Sequence, residues 1–166
     1  MGAALAAACA IAPAPRELQP LAAVPADFEV SGRLAVRQGE RSDIARLRWT
    51  RKAGADAWVI ASPLGNEIAR IDSGAGGATL QRAGAGPEQA ASFQALTERL
   101  LGVALDPEEM ARWLHGAASL NARGDWKVSI DETQRAGNVE LARRMSATRD
   151  DVTVRFVVDD YRALDK

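Results

Sequence analysis

Residues 28–36 read Phe-Glu-Val-Ser-Gly-Arg-Leu-Ala-Val, and this stretch decides the fold class. Every second residue is apolar or small, and the residues between are mostly polar. A period of two is typical of a strand with one buried face. The turn Gln38-Gly39-Glu40 leads into a second alternating segment through Leu47 and Trp49. Because a turn this short joins only antiparallel neighbours, the segment predicts an antiparallel sheet.

Further strands are predicted on both sides of a helical middle. Glycine- and proline-containing turns separate strands at 58–62, 66–71 and 78–82, the first two joined by the tight turn Ser-Pro-Leu-Gly at 62–65. Apolar alternation resumes at 126–130, 139–141 and 152–158. The chain is therefore expected to run sheet, helices, sheet.

The first predicted helix opens at Gly86 and Pro87 and ends before Gly102. Pro87 suits the first helical position and Gly102 the residue past the end. The apolar face of this helix consists of residues spaced by three and four positions, namely Phe93, Leu96, Leu100 and Leu101.

The second predicted helix starts with Asp106 as its N-cap, Pro107 at the first position and Glu109 at the third. This order is typical of a capping box. Gly116 is expected to end the helix. Two helices between two groups of strands predict an α+β fold, with one antiparallel sheet and both helices packed on one of its faces.

The first residues differ from the rest of the chain. Residues 3–12 form an uncharged apolar run, too short for a bilayer span but of the length found in signal peptides. Cys9, the single cysteine, follows Leu-Ala-Ala-Ala and resembles the lipobox of bacterial lipoproteins, where a signal peptidase cuts before a lipid-bearing Cys. Residues 1–8 are interpreted as a signal-peptide remnant and Cys9 as the lipid attachment site. An alanine-rich tail with an incidental Cys is the alternative.

Residues 9–26 are interpreted as a tether. Proline occurs four times between residues 11 and 26, and proline at this density favours extended chain. Sixteen such residues reach about 50 Å at roughly 3.1 Å each. A poorly ordered terminus without function is the alternative, and residues 27–162 are expected to form the folded domain.

Composition and motifs exclude several classes of function. The 166 residues carry 21 Lys and Arg against 22 Asp and Glu, which argues against a nucleic-acid binder. One Cys and one His argue against disulfides and a metal site. Nucleotide-binding fingerprints and a nucleophile elbow are missing, so we expect neither a cofactor nor an enzyme, and no catalytic role for His115.

Several strings in this order resemble the LolB family of outer-membrane lipoprotein receptors. They are residues 28–36, Arg-Trp at 48–49, Ser-Pro-Leu-Gly at 62–65, Leu-Leu-Gly at 100–102, Trp-Leu-His-Gly at 113–116 and Asp-Trp-Lys-Val at 125–128. The resemblance covers about Phe28 to Tyr161, and a lipobox in front is expected of the family. Two departures are a short segment between Gly116 and Trp126, and Tyr161 where Trp is common.

The resemblance implies an unclosed antiparallel β-barrel, a highly curved sheet with helices in its concave side. It implies a receptor anchored in the outer membrane and facing the periplasm, which takes lipoproteins by their acyl chains from a LolA-type carrier and inserts them into outer-membrane lipid. In the family an apolar residue protrudes from the loop between the third and fourth strands. The matching residue is Leu64, flanked by Pro63 and Gly65.

The acyl-chain cavity is expected to be lined by apolar residues on the periodic faces of strands and helices: Leu47, Trp49, Trp58, Phe93, Leu96 and Trp113. We expect a monomer. Two alternatives stay open: a structural envelope lipoprotein, whose concave side would be filled by side chains, and another periplasmic lipid-binding domain without transfer activity.

Overall fold

The computed structural model describes residues 24–116 and 125–164. Within these residues, nine strands and two helices follow in the order β1 (Phe28–Gln38), β2 (Arg41–Lys52), β3 (Ala55–Ala61), β4 (Glu67–Gly74), β5 (Gly77–Arg82), β6 (Glu88–Ala90), α1 (Phe93–Leu101), α2 (Pro107–Leu114), β7 (Lys127–Ala136), β8 (Val139–Arg149) and β9 (Val152–Ala163). They form one sheet in the order β6-β5-β4-β3-β2-β1-β9-β8-β7. Within the described residues the two edge strands, β6 and β7, do not pair, so the barrel is unclosed.

Strand β1 lies inside the sheet, with one face buried as its alternating sequence predicts. It pairs antiparallel with β2 on one side and with β9 on the other, which joins the two groups of strands. Phe28, Val30 and Leu34 are buried on one face. At Gly32 the pairing with β9 shifts register, and the β9 backbone at Val157 comes so close that a Cβ atom would collide with its carbonyl oxygen. Only glycine, which has no Cβ atom, fits at this position.

Both helices cover the same face of the sheet. Helix α1 packs on β4, β5 and β6, whereas α2 packs on β8 near the opposite edge. The buried residues of sheet and helices form one apolar cluster. Because strands near both edges of the sheet contact helices on the same face, the sheet curves around those helices. This confirms the predicted α+β class and the unclosed antiparallel barrel.

The start of α1 was predicted wrongly. Gly86 and Pro87 do not open a helix; they precede the short strand β6, which pairs with β5. The helix begins at Phe93, where Ser92 is the N-cap and its Oγ accepts a hydrogen bond from the Ala95 amide at 3.2 Å. A three-residue strand is too short for alternation to reveal it.

The predicted ends of the two helices are otherwise confirmed. Gly102 closes α1 in the left-handed region with φ of 76°. Asp106 caps α2, and Pro107 is its first residue. The capping bond differs from the predicted box, because Asp106 Oδ1 accepts from the Glu108 amide at 3.0 Å.

Some predictions lie outside the described residues. These are the signal-peptide remnant 1–8, Cys9, most of the tether 9–26 and most of the short segment after Gly116. In the part of the chain that the structure describes, no helix has the length and apolarity to cross a membrane.

Candidate functional site

The six residues predicted to line an acyl-chain cavity all lie in the apolar cluster between sheet and helices. Leu47, Trp49 and Trp58 come from the strands, Phe93 and Leu96 from α1, and Trp113 from α2. Each side chain is buried, and Phe93, at 6% exposure, is the most accessible of them. The strand and helix periods therefore predicted the inner face correctly, but in this structure side chains occupy that face.

A row of aromatic rings crosses the inner face of the sheet. Phe28 contacts Tyr161, with ring centroids 5.8 Å apart, and Trp49, at 4.9 Å. Trp49 contacts Trp58 at 5.7 Å, and Trp58 contacts Phe93 of α1 at 5.0 Å. These five residues, here called the aromatic row, connect β9, β1, β2 and β3 to the first helix.

Trp113 is apart from this row. Its ring packs edge-on against Trp126, with centroids 5.5 Å apart. The Arg149 guanidinium lies 4.3 Å above the Trp126 ring, a cation–π contact. Of the predicted residues, Trp49, Trp58 and Phe93 thus belong to the aromatic row, whereas Trp113 of α2 belongs to a second aromatic contact.

Two neighbouring tryptophans of the row differ in their polar contacts. Trp49 Nε1 donates to Asp56 Oδ1 at 2.8 Å. Trp58 Nε1 is buried and has no hydrogen-bond acceptor within the described residues. A buried donor without a partner costs about 1–3 kcal/mol. Trp58 Nε1 is therefore an unsatisfied donor inside the apolar cluster of the described residues.

Asp56 is a buried carboxylate that sequence reasoning missed. It is 6% exposed, and its ion pair with Arg51 spans 3.2 Å. Burial raises the pKa of Asp56, while the hydrogen bond from Trp49 and the charge of Arg51 oppose that rise. Arg51 and Asp56 face each other across the β2–β3 hairpin, so the hairpin register was the signal that could have found this pair.

His115 joins α2 to the last strand. Its Nδ1 lies 2.7 Å from the Ala111 carbonyl oxygen and its Nε2 lies 2.8 Å from the Tyr161 hydroxyl. Because a carbonyl only accepts, Nδ1 carries the proton and Tyr161 donates to Nε2. Burial lowers the pKa of His115 and raises that of Tyr161. These contacts make His115 a structural residue.

Leu64 is at the tip of the β3–β4 loop, as predicted, and 91% of it is exposed. The Gly65 amide donates to the Ser62 carbonyl oxygen, and the Ser62 amide to that of Asn66, both at 2.8 Å. The Asn66 amide also donates to Ser62 Oγ at 3.2 Å. Gly65 adopts φ of 94°, which favours glycine. The loop is closed by its own hydrogen bonds, so Leu64 projects without supporting the core.

The described residues contain no group of three His, Cys, Asp or Glu side chains placed to hold a metal ion. What they do contain is an open antiparallel sheet, two short helices over an apolar concave face, and an apolar residue at an exposed loop tip. Together these features define an open-barrel protein built around an apolar interior.

Comparison with known proteins identifies the family. The family model described as "Outer membrane lipoprotein LolB" matches residues 26–161, and the chain belongs to this family. It is similar to the outer-membrane lipoprotein LolB of Azoarcus sp., with 29% identity over 97% of this chain and 91% of the relative. It is also similar to that of Chromobacterium violaceum, with 28% identity over 84% of this chain and 83% of the relative.

Among solved structures, the chain is similar to a LolA superfamily protein from Nitrosomonas europaea. The TM-score is 0.46 at 9% identity, with 86% of this chain and 88% of that chain covered. As a member of this family, the chain is an outer-membrane lipoprotein of the lipoprotein-localisation system. The LolB family is not a family of enzymes.

Proposed function

We propose that this protein is an outer-membrane receptor that takes lipoproteins from a LolA-type periplasmic carrier by their acyl chains and inserts them into the outer membrane. The observation that carries the proposal is the aromatic row, a continuous series of ring contacts from β9 across the sheet to α1. An acyl chain laid along this row would be removed from water over its length.

Binding requires space that side chains now occupy, and the two helices are the elements suited to provide it. Helix α1 has nine residues and α2 has eight. Isolated helices shorter than about 12–15 residues are marginal in water, so these helices depend on packing against the sheet. Displacing α1 would remove Phe93 from its contact with Trp58, and an acyl chain would replace the lost contact.

The unpaired Trp58 Nε1 supports a lipid ligand over a purely apolar one. Acyl chains are attached to lipoproteins through ester and amide bonds. The carbonyl oxygen of either bond can accept a hydrogen bond from an indole N–H. A lipid whose carbonyl reached Trp58 would satisfy the one donor of the row that has no acceptor within the described residues.

The energetics of transfer suit a protein without a nucleotide site. Each buried methylene contributes about 0.8 kcal/mol relative to water, so acyl chains do not cross water unaided. Between an apolar protein interior and a bilayer most of this free energy cancels. A small difference in affinity then sets the direction, and an interior that must open to bind favours release to the membrane.

Cys9 is proposed as the lipid attachment site and residues 9–26 as the tether. This arrangement would keep the folded domain at the membrane surface, where the effective concentration of bilayer is high. Leu64 would then be the element that touches the bilayer. Exposing one leucine costs roughly 1.5–3 kcal/mol relative to full burial, enough to favour contact but too little to anchor the protein.

A structural envelope lipoprotein is the second candidate. The observation that favours it is that buried side chains fill the concave face in this structure. Under this alternative the cluster is an ordinary core, and no acyl chain enters it.

Acyl binding separates the two candidates. The full chain carrying Cys9→Ala, made without lipid, is titrated with a spin-labelled fatty acid that quenches nearby tryptophan fluorescence. We expect saturable quenching that a lipoprotein lipid moiety reverses. The quenching should be smaller in Trp58→Phe than in the control Trp126→Phe, since Trp58 belongs to the aromatic row and Trp126 does not. Absence of saturable quenching would favour the structural lipoprotein.

A further inference from the structure

Three large apolar side chains are exposed within the described residues, and all three lie around one loop. They are Ile44 at 60% exposure, Leu64 at 91% and Ile68 at 44%. Single exposed apolar residues are ordinary, but a cluster of them marks an interaction surface.

The register of the sheet brings the three together. Arg46 on β2 pairs with Ala61, the last residue of β3, so Ile44 is two residues further along β2, beside the loop. Glu67, the first residue of β4, also pairs with Ala61, so Ile68 flanks the loop on its other side. Ile44 and Ile68 therefore stand on the two strands that border the loop carrying Leu64.

Some of the arginines beside this patch are paired with carboxylates, and others are not. Arg33 pairs with Asp159 at 3.3 Å, and Arg70 with Glu67 at 3.7 Å. Arg46 and Arg48 form no ion pair with any carboxylate of the described residues, and both are exposed on the outer face of β2. Two guanidinium groups without a counter-ion among the described residues thus lie next to the apolar patch, in a chain of net charge −1.

A groove runs beside these two arginines. Its volume is about 370 Å³, and its lining includes Arg46, Arg48 and Gly65. Two carboxylates also line it, those of Asp159 and Glu67, and each is already paired with another arginine. The two unpaired guanidinium groups are therefore the groups of the groove that a phosphate can approach closely. The groove reaches the β3–β4 loop at Gly65, which makes it continuous with the apolar tip.

We propose that Ile44, Leu64 and Ile68 with Arg46 and Arg48 form one surface for anionic phospholipid, in which the apolar residues enter the acyl boundary and the two arginines bind the phosphates. This inference rests on the proposed delivery function and deepens it, because it names the lipid class that the loop end contacts. A bilayer is the one partner that offers apolar depth and a dense array of phosphates at the same edge. Delivery is then faster into membranes that contain anionic lipid.

The test measures binding of the full chain carrying Cys9→Ala, so that its own lipid does not hold it, to vesicles of phosphatidylcholine with or without phosphatidylglycerol. Each basic residue near an anionic surface increases partitioning about fivefold at low salt. Arg46→Gln with Arg48→Gln should therefore lower binding to the anionic vesicles by roughly 25-fold and leave binding to the neutral vesicles unchanged. Added salt should erase the difference, because it screens exposed charges.

The matched control is Lys127→Gln with Arg135→Gln on the edge strand β7, which β1, β9 and β8 separate from β2; it removes the same charge. Its binding should change less than about twofold, because exposed charges more than a Debye length from the vesicle surface are largely screened. Ile44→Ser and Ile68→Ser should each weaken binding to both kinds of vesicle.

The inference is overturned if the chain with Arg46 and Arg48 in place binds neutral and anionic vesicles equally. It is also overturned if the β7 control loses as much binding as the β2 variant. Loss of cargo receipt from the carrier in the Ile44 and Ile68 variants would instead make the patch a protein-binding surface. Delivery into neutral vesicles that still depends on Leu64 would preserve the proposed function while the anionic preference fails.

Discussion

Trp49 and Trp58 face each other across β2 and β3 with ring centroids 5.7 Å apart, yet only Trp49 has an acceptor for its indole N–H within the described residues. Both residues are fully buried, so the difference between them is one hydrogen bond to Asp56. The pair is therefore a matched comparison between a tryptophan whose indole N–H is hydrogen-bonded and one that we propose offers its N–H to a ligand.

Replacing each tryptophan by phenylalanine should separate these roles. Trp49→Phe leaves the buried Asp56 without its indole donor and is expected to lower the free energy of unfolding by about 1–3 kcal/mol more than Trp58→Phe. Both variants lose similar volume, so urea denaturation of the two reports the hydrogen bond. Equal destabilisation of the two variants would show that the Asp56 contact contributes nothing.

His115 should make the fold sensitive to mild acid. Burial holds its pKa in the folded state below the ordinary value of 6.5. The unfolded chain therefore binds a proton that the folded chain excludes, and stability falls as pH drops below about 6.5. The charge of Arg51 also lowers this pKa, whereas the hydrogen bond to the Ala111 carbonyl oxygen opposes the shift. Denaturation at about pH 7 and about pH 5.5 measures the loss.

The control for this prediction is His115→Gln, which removes the single histidine but keeps Asp56. Asp56 acts in the opposite direction, because its raised pKa makes stability increase as pH falls towards 3.8. The His115→Gln variant should therefore not lose stability between the two pH values at which denaturation is measured. An unchanged pH dependence in His115→Gln would assign it to other groups.

Gly32 is expected to tolerate no side chain. A Cβ atom there would meet the Val157 carbonyl oxygen and the Phe156 ring, so Gly32→Ala must push β1 away from β9. Overpacking of this kind costs about 1–3 kcal/mol. Gly86→Ala is the control, because nothing lies within 4 Å of its Cβ position, and it should change stability by less than about 0.5 kcal/mol.

Much of this architecture follows from the amino-acid pattern alone. The alternation in residues 28–36 and 152–158 predicts two interior strands, β1 and β9, and the caps Asp106 and Gly102 mark helix ends, because local hydrogen bonds and burial determine both. Strand β6 was missed since three residues show no period, and its partner β5 decides its structure.

The residues of the inner face could be predicted from the sequence, but their contacts with one another could not. Buried positions of strands and helices follow from their periods, so all six candidate residues fall in the core. The separation of Trp113 from the aromatic row depends on where α2 crosses the sheet, which no local pattern encodes. The Asp56 and His115 contacts join residues distant in sequence or across a hairpin, so they appear only in the folded chain.

Cys9 should decide where the protein resides. The Cys9→Ala variant is expected to be released to the soluble periplasm, because an acyl chain contributes about 0.8 kcal/mol for each buried methylene and the loop end contributes far less. Fractionation measures the release, and mass spectrometry of the mature N-terminus from the native host shows the modification. An unlipidated Cys9, or a variant that stays in the membrane, would remove the proposed anchor.

The most direct test of the proposed delivery role is a two-step transfer assay with Leu64→Glu, purified carrier loaded with a lipoprotein, and liposomes. Leu64 is 91% exposed, so folding and receipt of cargo should stay intact. Losing about 1.5 kcal/mol or more of apolar contact with the bilayer should slow delivery at least about tenfold. Asn138→Glu, which adds the same charge at the exposed β7–β8 turn, is the control and should change neither step. Selective loss of delivery is the predicted result, and equal loss of both steps, or loss of neither, would contradict it.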